Sequence, residues 1–173
     1  MKTTTLLMAL GIAAGVFAAP AMAASTLVKF DGGIGVDPVA GIAAGAPALN
    51  TVRGVPPGGR PWVIERLKAT VKDDGSISVK GRGLVLAGSD AIGTAGAVKN
   101  VRASLFCGTQ EFDSGAVPFS ANGNFDIAGS LNATPPSPCA PAVLLIRNAP
   151  NPDSNTAGAT DAWFAAGIPG SDD

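Results

Sequence analysis

The sequence predicts an all-β protein, an antiparallel Ig-like (Greek-key) β-sandwich of seven to eight strands that follows a Gly/Pro-rich N-terminal arm. Three observations support this class. Short segments alternate apolar and polar residues with the period of two that a half-buried strand requires. Turn-forming residues separate most of these segments, as in antiparallel sandwiches. No amphipathic helix stands between the segments, which disfavours a parallel βαβ architecture.

The clearest β-hairpin is predicted for residues 62–86. Its first strand carries apolar side chains at Val63, Leu67, Ala69 and Val71, with polar side chains at the positions between 66 and 72. The segment Asp73–Ser76, Asp-Asp-Gly-Ser, then provides the Asp-Gly turn signal of a hairpin. Residues 77–86 return with the same alternation, so two paired strands are expected here.

Further strands are expected in the second half of the chain. Residues 101–107 place Val101, Ala103, Leu105 and Cys107 on one face. Residues 117–131 indicate two strands around an Asn-Gly turn, and the uninterrupted apolar run at 142–146 is typical of a strand buried on both faces. A Pro-rich loop at 132–141, which cannot lie in mid-sheet, precedes this apolar run, and a last strand is expected at 162–168 after a polar loop.

The first 23 residues have the organisation of a secretory signal peptide. Lys2 supplies the positive charge, residues 6–19 form an uncharged apolar segment, and Ala21-Met22-Ala23 offers a small-x-small cleavage site. We therefore expect export to the periplasm or the extracellular medium, with a mature chain that begins near Ala24. The alternative is an uncleaved anchor, since the apolar run nearly reaches membrane-spanning length. No second long apolar run follows, so no membrane span is expected in the mature chain.

The remaining chain divides into three parts. Residues 24–61 are expected to hold a short strand and then a Gly/Ala/Pro-rich arm or loop, with one helical turn near 39–44, because Gly and Pro disfavour regular structure. Residues 62–168 are the predicted sandwich domain, and 169–173 a disordered tail. About 150 mature residues correspond to one ordinary domain.

Composition excludes several kinds of chemistry. The chain has no histidine, so neither a Ser-His-Asp nor a Cys-His nucleophile can operate. Zinc, copper and non-haem iron sites also usually need histidine, and we expect no metal site and no cofactor. The net charge of −1 and the absence of a basic run in the sequence make nucleic acid an unfavoured partner.

Cys107 and Cys139 are the two cysteines of the chain. Export favours their oxidation, and an even cysteine count in an exported chain indicates pairing. A catalytic thiol would need a base or a nearby cation, whereas Arg102 is expected on the opposite face of its strand. We therefore predict a Cys107–Cys139 disulfide and no catalytic residue.

Two other residue sets have competing interpretations. Trp62 and Trp163 could stack on sugar rings if exposed, but composition favours buried packing. Glu111 and Asp113 alternate on a short segment, and paired carboxylates can hydrolyse glycosides without histidine. Exposed carboxylates are more often simply solvated, so this hydrolase hypothesis ranks lowest.

Five segments resemble a group of small exported bacterial proteins that carry no assigned activity. They read KFDGGIGVDPV, VRGVPPGGRPWVI, VKDDGSISVKGRGLVLAGSDAIGT, SPCAPAVLLIRN and AWFAAGIP. The resemblance spans most of the mature chain and implies a bacterial origin and export. It supplies no catalytic residues.

These observations predict an exported, non-enzymatic protein that acts through its surface, in the cell envelope or in protein–protein contact. Envelope proteins and glycans are the partners considered, and the oligomeric state stays open. The alternative is a module that binds carbohydrate or a small ligand.

Overall fold

The chain is all-β in the computed structural model, which describes residues 23–149 and 161–170; this part of the chain contains no helix. The proposed signal peptide up to residue 22, the loop at 150–160 and the end of the predicted tail at 171–173 lie outside the described residues. Thirteen strands are present: β1 (Thr26–Gly35), β2 (Val39–Ala43), β3 (Ala46–Leu49), β4 (Trp62–Val63), β5 (Arg66–Lys72), β6 (Ser76–Arg82), β7 (Val85–Leu86), β8 (Asn100–Cys107), β9 (Gln110–Asp113), β10 (Val117–Pro118), β11 (Phe125–Ser130), β12 (Ala142–Asn148) and β13 (Trp163–Pro169).

Nine strands form one antiparallel sheet in the order β10-β8-β12-β13-β1-β5-β6-β11, and β9 also pairs with β8. The two ends of this sheet meet, since β10 contacts β11. The sheet therefore curls around one core, and its opposing parts pack face to face as in a β-sandwich. The strands β2 and β3 form a separate hairpin, and β4 pairs with β7.

The alternation in the sequence determines which side chains enter the core. On β5 and β6, Leu67, Ala69, Val71, Ile77 and Val79 are buried while the residues between them point outward. On β12, burial covers both faces from Leu144 to Arg147, as the apolar run predicted. Each large apolar side chain buried in this way contributes about 1.5–3 kcal/mol.

The predicted hairpin at residues 62–86 is confirmed. The strands β5 and β6 pair from Arg66↔Arg82 to Val71↔Ile77, and the turn at Asp73–Gly75 joins them. The all-β antiparallel class is also confirmed. Seven of the thirteen strands are six or more residues long, which matches the predicted count, and the others are shorter pieces. The Ig-like Greek-key connectivity stays a prediction.

The sandwich domain was predicted to begin at residue 62, which leaves out β1, although β1 belongs to the large sheet. The strand β1 lies between β5 and β13 and pairs with both, so the first and last strands of the described chain are neighbours. Pro169 still belongs to β13, and the Gly170 N–H donates to the carbonyl of Lys29 at 3.0 Å. The sequence assigns these two residues to the tail, whereas the structure places them at the end of a strand inside the sheet. No helix in the described part of the chain is long and apolar enough to span a membrane.

Candidate functional site

Cys107 and Cys139 form a disulfide, with their Cα atoms 4.7 Å apart. Cys107 ends β8, next to Ala142 of β12, and Cys139 lies in the Pro-rich loop that leads into β12. The bond thus attaches this loop to the end of β8. It removes Cys107 from the candidate nucleophiles and gives the pair a structural role.

Trp62 is buried, with 5% of its surface exposed. Its ring lies 4.4 Å from the Phe164 ring, centroid to centroid, and it also packs near Phe119 at 6.3 Å. It borders a surface cavity of about 310 Å³ beside Leu86 and Val98. Because Phe164 already packs against the ring, Trp62 presents no open aromatic face to a sugar.

Trp163 is buried as well, at 4% exposure. Its indole N–H donates to the backbone carbonyl of Asn50 at 2.9 Å, which satisfies the polar atom of the side chain. The hypothesis that the two tryptophans are exposed and stack on sugar rings is therefore wrong, and the interpretation that they pack in the core is correct. Trp163 instead connects the core to the segment that precedes β4.

Glu111 and Asp113 are held by two arginines. The buried side chain of Arg147 donates to the carboxylates of Glu111 and Asp161, and to the Ser104 hydroxyl at 3.1 Å. Arg102, directly opposite Arg147 across β8 and β12, donates to Asp161 at 2.6 Å, and its Nε lies 3.4 Å from Asp113.

This arginine–carboxylate cluster links strands β8, β9 and β12 to the start of β13. Two guanidinium groups face three carboxylates within it, and Glu111 and Asp113 meet guanidinium groups rather than each other across a cleft. Glycoside hydrolysis needs two carboxylates that flank a bound sugar. The geometry of Glu111 and Asp113 thus favours a structural role. In the described residues, no group of three or more His, Cys, Asp or Glu side chains is arranged to hold a metal ion.

The apolar hairpin, residues Val39–Leu49, is a second candidate site in the described part of the chain. Its sequence VAGIAAGAPAL contains no charged or hydrogen-bonding side chain. All residues of β2 are exposed, and Ile42 and Leu49 expose 72% and 64% of their surface. The residues belong to a two-stranded sheet that does not join the large one. Apolar side chains therefore reach solvent on both faces of a protruding element.

A tight turn and a polar base define the hairpin. Ala44 and Gly45 both have positive φ, 49° and 80°, as the two central residues of a type I′ turn require. At the base, the Asn50 side chain donates to the Asp37 carbonyl at 2.9 Å, and the Asn50 N–H donates to the Pro38 carbonyl at 3.0 Å. Since the Asn50 carbonyl also accepts from Trp163, the base of the hairpin is fixed to the core.

The two edges of the hairpin differ. In a two-residue hairpin the pair next to the turn, here Ala43↔Ala46, exchanges hydrogen bonds, and the following pair, Ile42↔Pro47, does not. The backbone groups of Ile42 therefore point away from β3, toward solvent. Pro47 has no N–H to offer at the opposite edge. The β2 edge can thus accept another strand, whereas Pro47 blocks the β3 edge.

Little in the sequence indicates this hairpin. Residues 39–44 were expected to form a helical turn, which is wrong, because they form β2 and its turn. The alternation that reveals a strand disappears when both faces are apolar. The one local signal is Ala44-Gly45 between short apolar runs, which is weaker than Asn-Gly or Asp-Gly.

Comparison with protein-family models, curated proteins and solved structures finds no match in any of the three. The resemblance to small exported bacterial proteins stays a prediction.

Proposed function

We propose that this chain is an exported, non-enzymatic protein that binds another protein in the cell envelope or the medium through its apolar hairpin. The observation that carries the proposal is the exposure of the uncharged segment Val39–Leu49 on an element outside the main sheet. Contiguous apolar surface on a protein usually marks an interaction site, because it is costly to keep in water. The signal-like N-terminus and the absence of histidine support the exported and non-enzymatic parts of the proposal.

A protein partner fits this hairpin better than a lipid bilayer. The backbone N–H and C=O of Ile42 point outward from β2, and such groups have no partner in hydrocarbon, where each unsatisfied group costs several kcal/mol. A partner strand that pairs with β2 would satisfy these groups. Strand addition of this kind obtains affinity from main-chain hydrogen bonds and specificity from side-chain contacts. Val39 and Ile42 then supply the apolar contacts beside the new strand.

The alternative, a module that binds carbohydrate by aromatic stacking, has less support. It requires an exposed tryptophan, and both Trp62 and Trp163 are buried. The carboxylate-based hydrolase has less support again, because its acids are engaged by Arg102 and Arg147.

Site-specific photo-crosslinking tests the proposal. A photoreactive amino acid replaces Ile42 in one variant and Ile92 in another, and both are produced in cells that export the chain. Ile92 is a matched control, since it is equally apolar and 64% exposed but lies in the loop before β8. We expect a discrete protein cross-link from position 42 that position 92 does not give, and mass spectrometry identifies it. Cross-links to lipid, or identical cross-links from both positions, would overturn the proposal.

Binding measurements with the purified partner then test the hairpin directly. Ile42→Lys should weaken binding at least about tenfold, which corresponds to ~1.4 kcal/mol, while Ile92→Lys should leave it within about twofold. A cross-link to a second copy of this chain would equally support strand addition at β2, and the same variants would then shift the monomer–dimer equilibrium.

Export is tested on the same preparations. We expect the mature protein to begin near Ala24 and to be recovered from the periplasm or the medium. Retention of the full-length chain in the membrane would support the uncleaved anchor instead.

A further inference from the structure

The outer face of β1, β5, β6 and β11 collects positive charge. Six cationic side chains and two carboxylates point outward there, an excess of four positive charges on a chain whose net charge is −1. We call this surface the basic face; its charged residues are Lys29, Asp31, Arg66, Lys68, Lys72, Lys80, Arg82 and Asp126. Half of the twelve Lys and Arg residues of the chain lie on it.

Four of these cations form a compact block. Arg66 lies directly opposite Arg82, and Lys68 directly opposite Lys80, on neighbouring strands. Directly opposite side chains have Cβ atoms about 4.5–5.5 Å apart, and residues two apart along a strand are separated by about 6.8 Å. Like charges at such positions destabilise a sheet. This block of like charges therefore serves the binding of an anionic ligand rather than the stability of the fold.

The carboxylates neutralise part of this block. Asp126 accepts two hydrogen bonds from Arg82, at 2.9 and 3.1 Å, and Asp31 lies 3.5 Å from the Lys68 ammonium. Arg66 and Lys80 form no ion pair with any residue of the described part of the chain. Lys80 lies directly opposite Asp126 across β6 and β11, but Arg82 engages that carboxylate, so Arg66 and Lys80 can both bind an anion.

Hydroxyl groups and a cavity accompany the charges. Thr70 lies opposite Ser78 in the row next to the Lys68–Lys80 pair, and both can hydrogen-bond to sugar hydroxyls. A surface cavity of about 440 Å³ opens on the same face, lined in part by Lys29, Asp31, Lys68 and Thr70. The surface thus combines cations, hydroxyls and a concave site.

We infer that the basic face binds an acidic polysaccharide, a chain of sugars that carry carboxylates. Charge complementarity selects an anionic ligand, and the interleaved hydroxyls suit a sugar. An anionic membrane fits less well, because β5, β6 and β11 expose no large apolar side chain that could enter the interface, and on β1 the single residue Ile34 is exposed in this way. Single-stranded nucleic acid fits less well, since no exposed aromatic side chain on these strands could stack on bases.

This site is independent of the apolar hairpin, which contains no charged residue. The proposal of protein binding at the hairpin and the proposal of polysaccharide binding at the basic face can therefore be confirmed or contradicted separately.

The test measures binding of the full mature chain to polygalacturonate, a homopolymer of a uronic acid, at low salt. Neutral dextran of similar length, vesicles with phosphatidylglycerol and a single-stranded oligodeoxynucleotide are the comparison probes. We expect binding to polygalacturonate, none to dextran, and an affinity that falls with rising NaCl as counterions are released. Arg66→Gln with Lys80→Gln should weaken this binding about tenfold or more.

Two further double variants make the outcome specific. Arg53→Gln with Lys99→Gln removes the same charge from exposed positions outside the basic face and should change affinity less than about twofold. Arg66→Lys with Lys80→Arg keeps the charges and should retain binding. Equal losses in both Gln variants, unchanged binding after Arg66→Gln with Lys80→Gln, or tighter binding to the vesicles or the oligonucleotide would each overturn the inference.

Discussion

Arg66 and Arg82 face each other directly across the antiparallel pair β5–β6. Arg82 is held by Asp126 and also donates to the backbone carbonyls of Gly81 and Phe125, at 2.7 and 2.9 Å. Arg66 has no such partner among the described residues. Two guanidinium groups thus meet at one cross-strand position, and the one carboxylate that binds either of them, Asp126, comes from β11, on the other side of β6 from Arg66.

This relationship predicts that charge reversal at position 66 stabilises the fold. Arg66→Glu should raise the free energy of unfolding by about 0.5 kcal/mol, because an opposite-charge pair replaces a like-charge pair. The free energy of unfolding of Arg66→Gln should fall between those of the wild type and Arg66→Glu. Urea denaturation measures the series at low salt, and the differences should shrink in high salt as screening increases. If Arg66→Glu is less stable than the wild type at low salt, the two arginines do not repel in the folded chain.

Reduction of the Cys107–Cys139 bond should lower stability substantially. The residues are separated by 32 positions, and closing a loop of that length removes entropy from the unfolded chain worth roughly 3–4 kcal/mol. Denaturant midpoints with and without a thiol reductant measure this loss, and Cys107→Ser with Cys139→Ser should reproduce it. Intact mass should show an oxidised pair in protein purified without reductant. Two free thiols in that protein, or equal midpoints, would contradict the structural role.

A side chain at position 81 in place of glycine is predicted to destabilise the fold. A Cβ atom at this position would lie 2.1 Å from the ring of Phe125, which packs over Gly81 from the neighbouring strand β11. Gly81→Ala should therefore cost about 1–3 kcal/mol through overpacking, measured by chemical denaturation. Gly115→Ala is the matched control, because a Cβ there meets no atom within 4 Å. Equal stabilities of the two variants would show that the Phe125 ring moves aside at little cost.

Arg147 is predicted to be the principal residue of the arginine–carboxylate cluster. Its side chain is 5% exposed, whereas its partners Glu111 and Asp161 are 38% and 51% exposed. Arg147→Met should lower the free energy of unfolding by roughly 2–3 kcal/mol, since charge-assisted hydrogen bonds are lost and three carboxylates share Arg102.

The control for this variant is Lys99→Met, an exposed position where the change should stay within about 0.5 kcal/mol. A stability of Arg147→Met equal to that of the wild type would mean that the cost of desolvating the arginine offsets its ion pairs.

The hydrogen bonds of the Asp74 carboxylate predict one contribution to the pH dependence of folding stability. The Ser76 side chain and backbone N–H donate to this carboxylate in the β5–β6 turn and lower its pKa from the usual 3.8. A lowered pKa in the folded state gives stability that is fully present above 3.8 and is lost as pH falls through the folded pKa. Asp74→Asn cannot titrate, so the wild type should lose more stability than this variant on acidification below that range. Parallel acid titrations that show the same loss would contradict this contribution.

The local structure of the chain follows from its sequence. The period-2 alternation in residues 66–82 specified β5, its turn and β6, because the side-chain direction in a strand follows from the neighbouring residues alone. The apolar run at 142–146 specified a strand buried on both faces for the same reason. The Cys107–Cys139 pairing followed from the cysteine count and the predicted export signal.

Which distant segments meet depends on the tertiary fold. Pairing of β1 with β13 joins residues more than a hundred positions apart, and no local pattern encodes that choice. The cross-strand register brings the cations of β1, β5 and β6 onto one face, although no basic run exists in the sequence. The same cause buries Trp62 and Trp163 beneath segments that the sequence assigned to an arm. Residues 39–49 show no alternation of apolar and polar residues, because both faces of the hairpin are apolar. Their exposure follows from the tertiary fold, in which the large sheet closes without them.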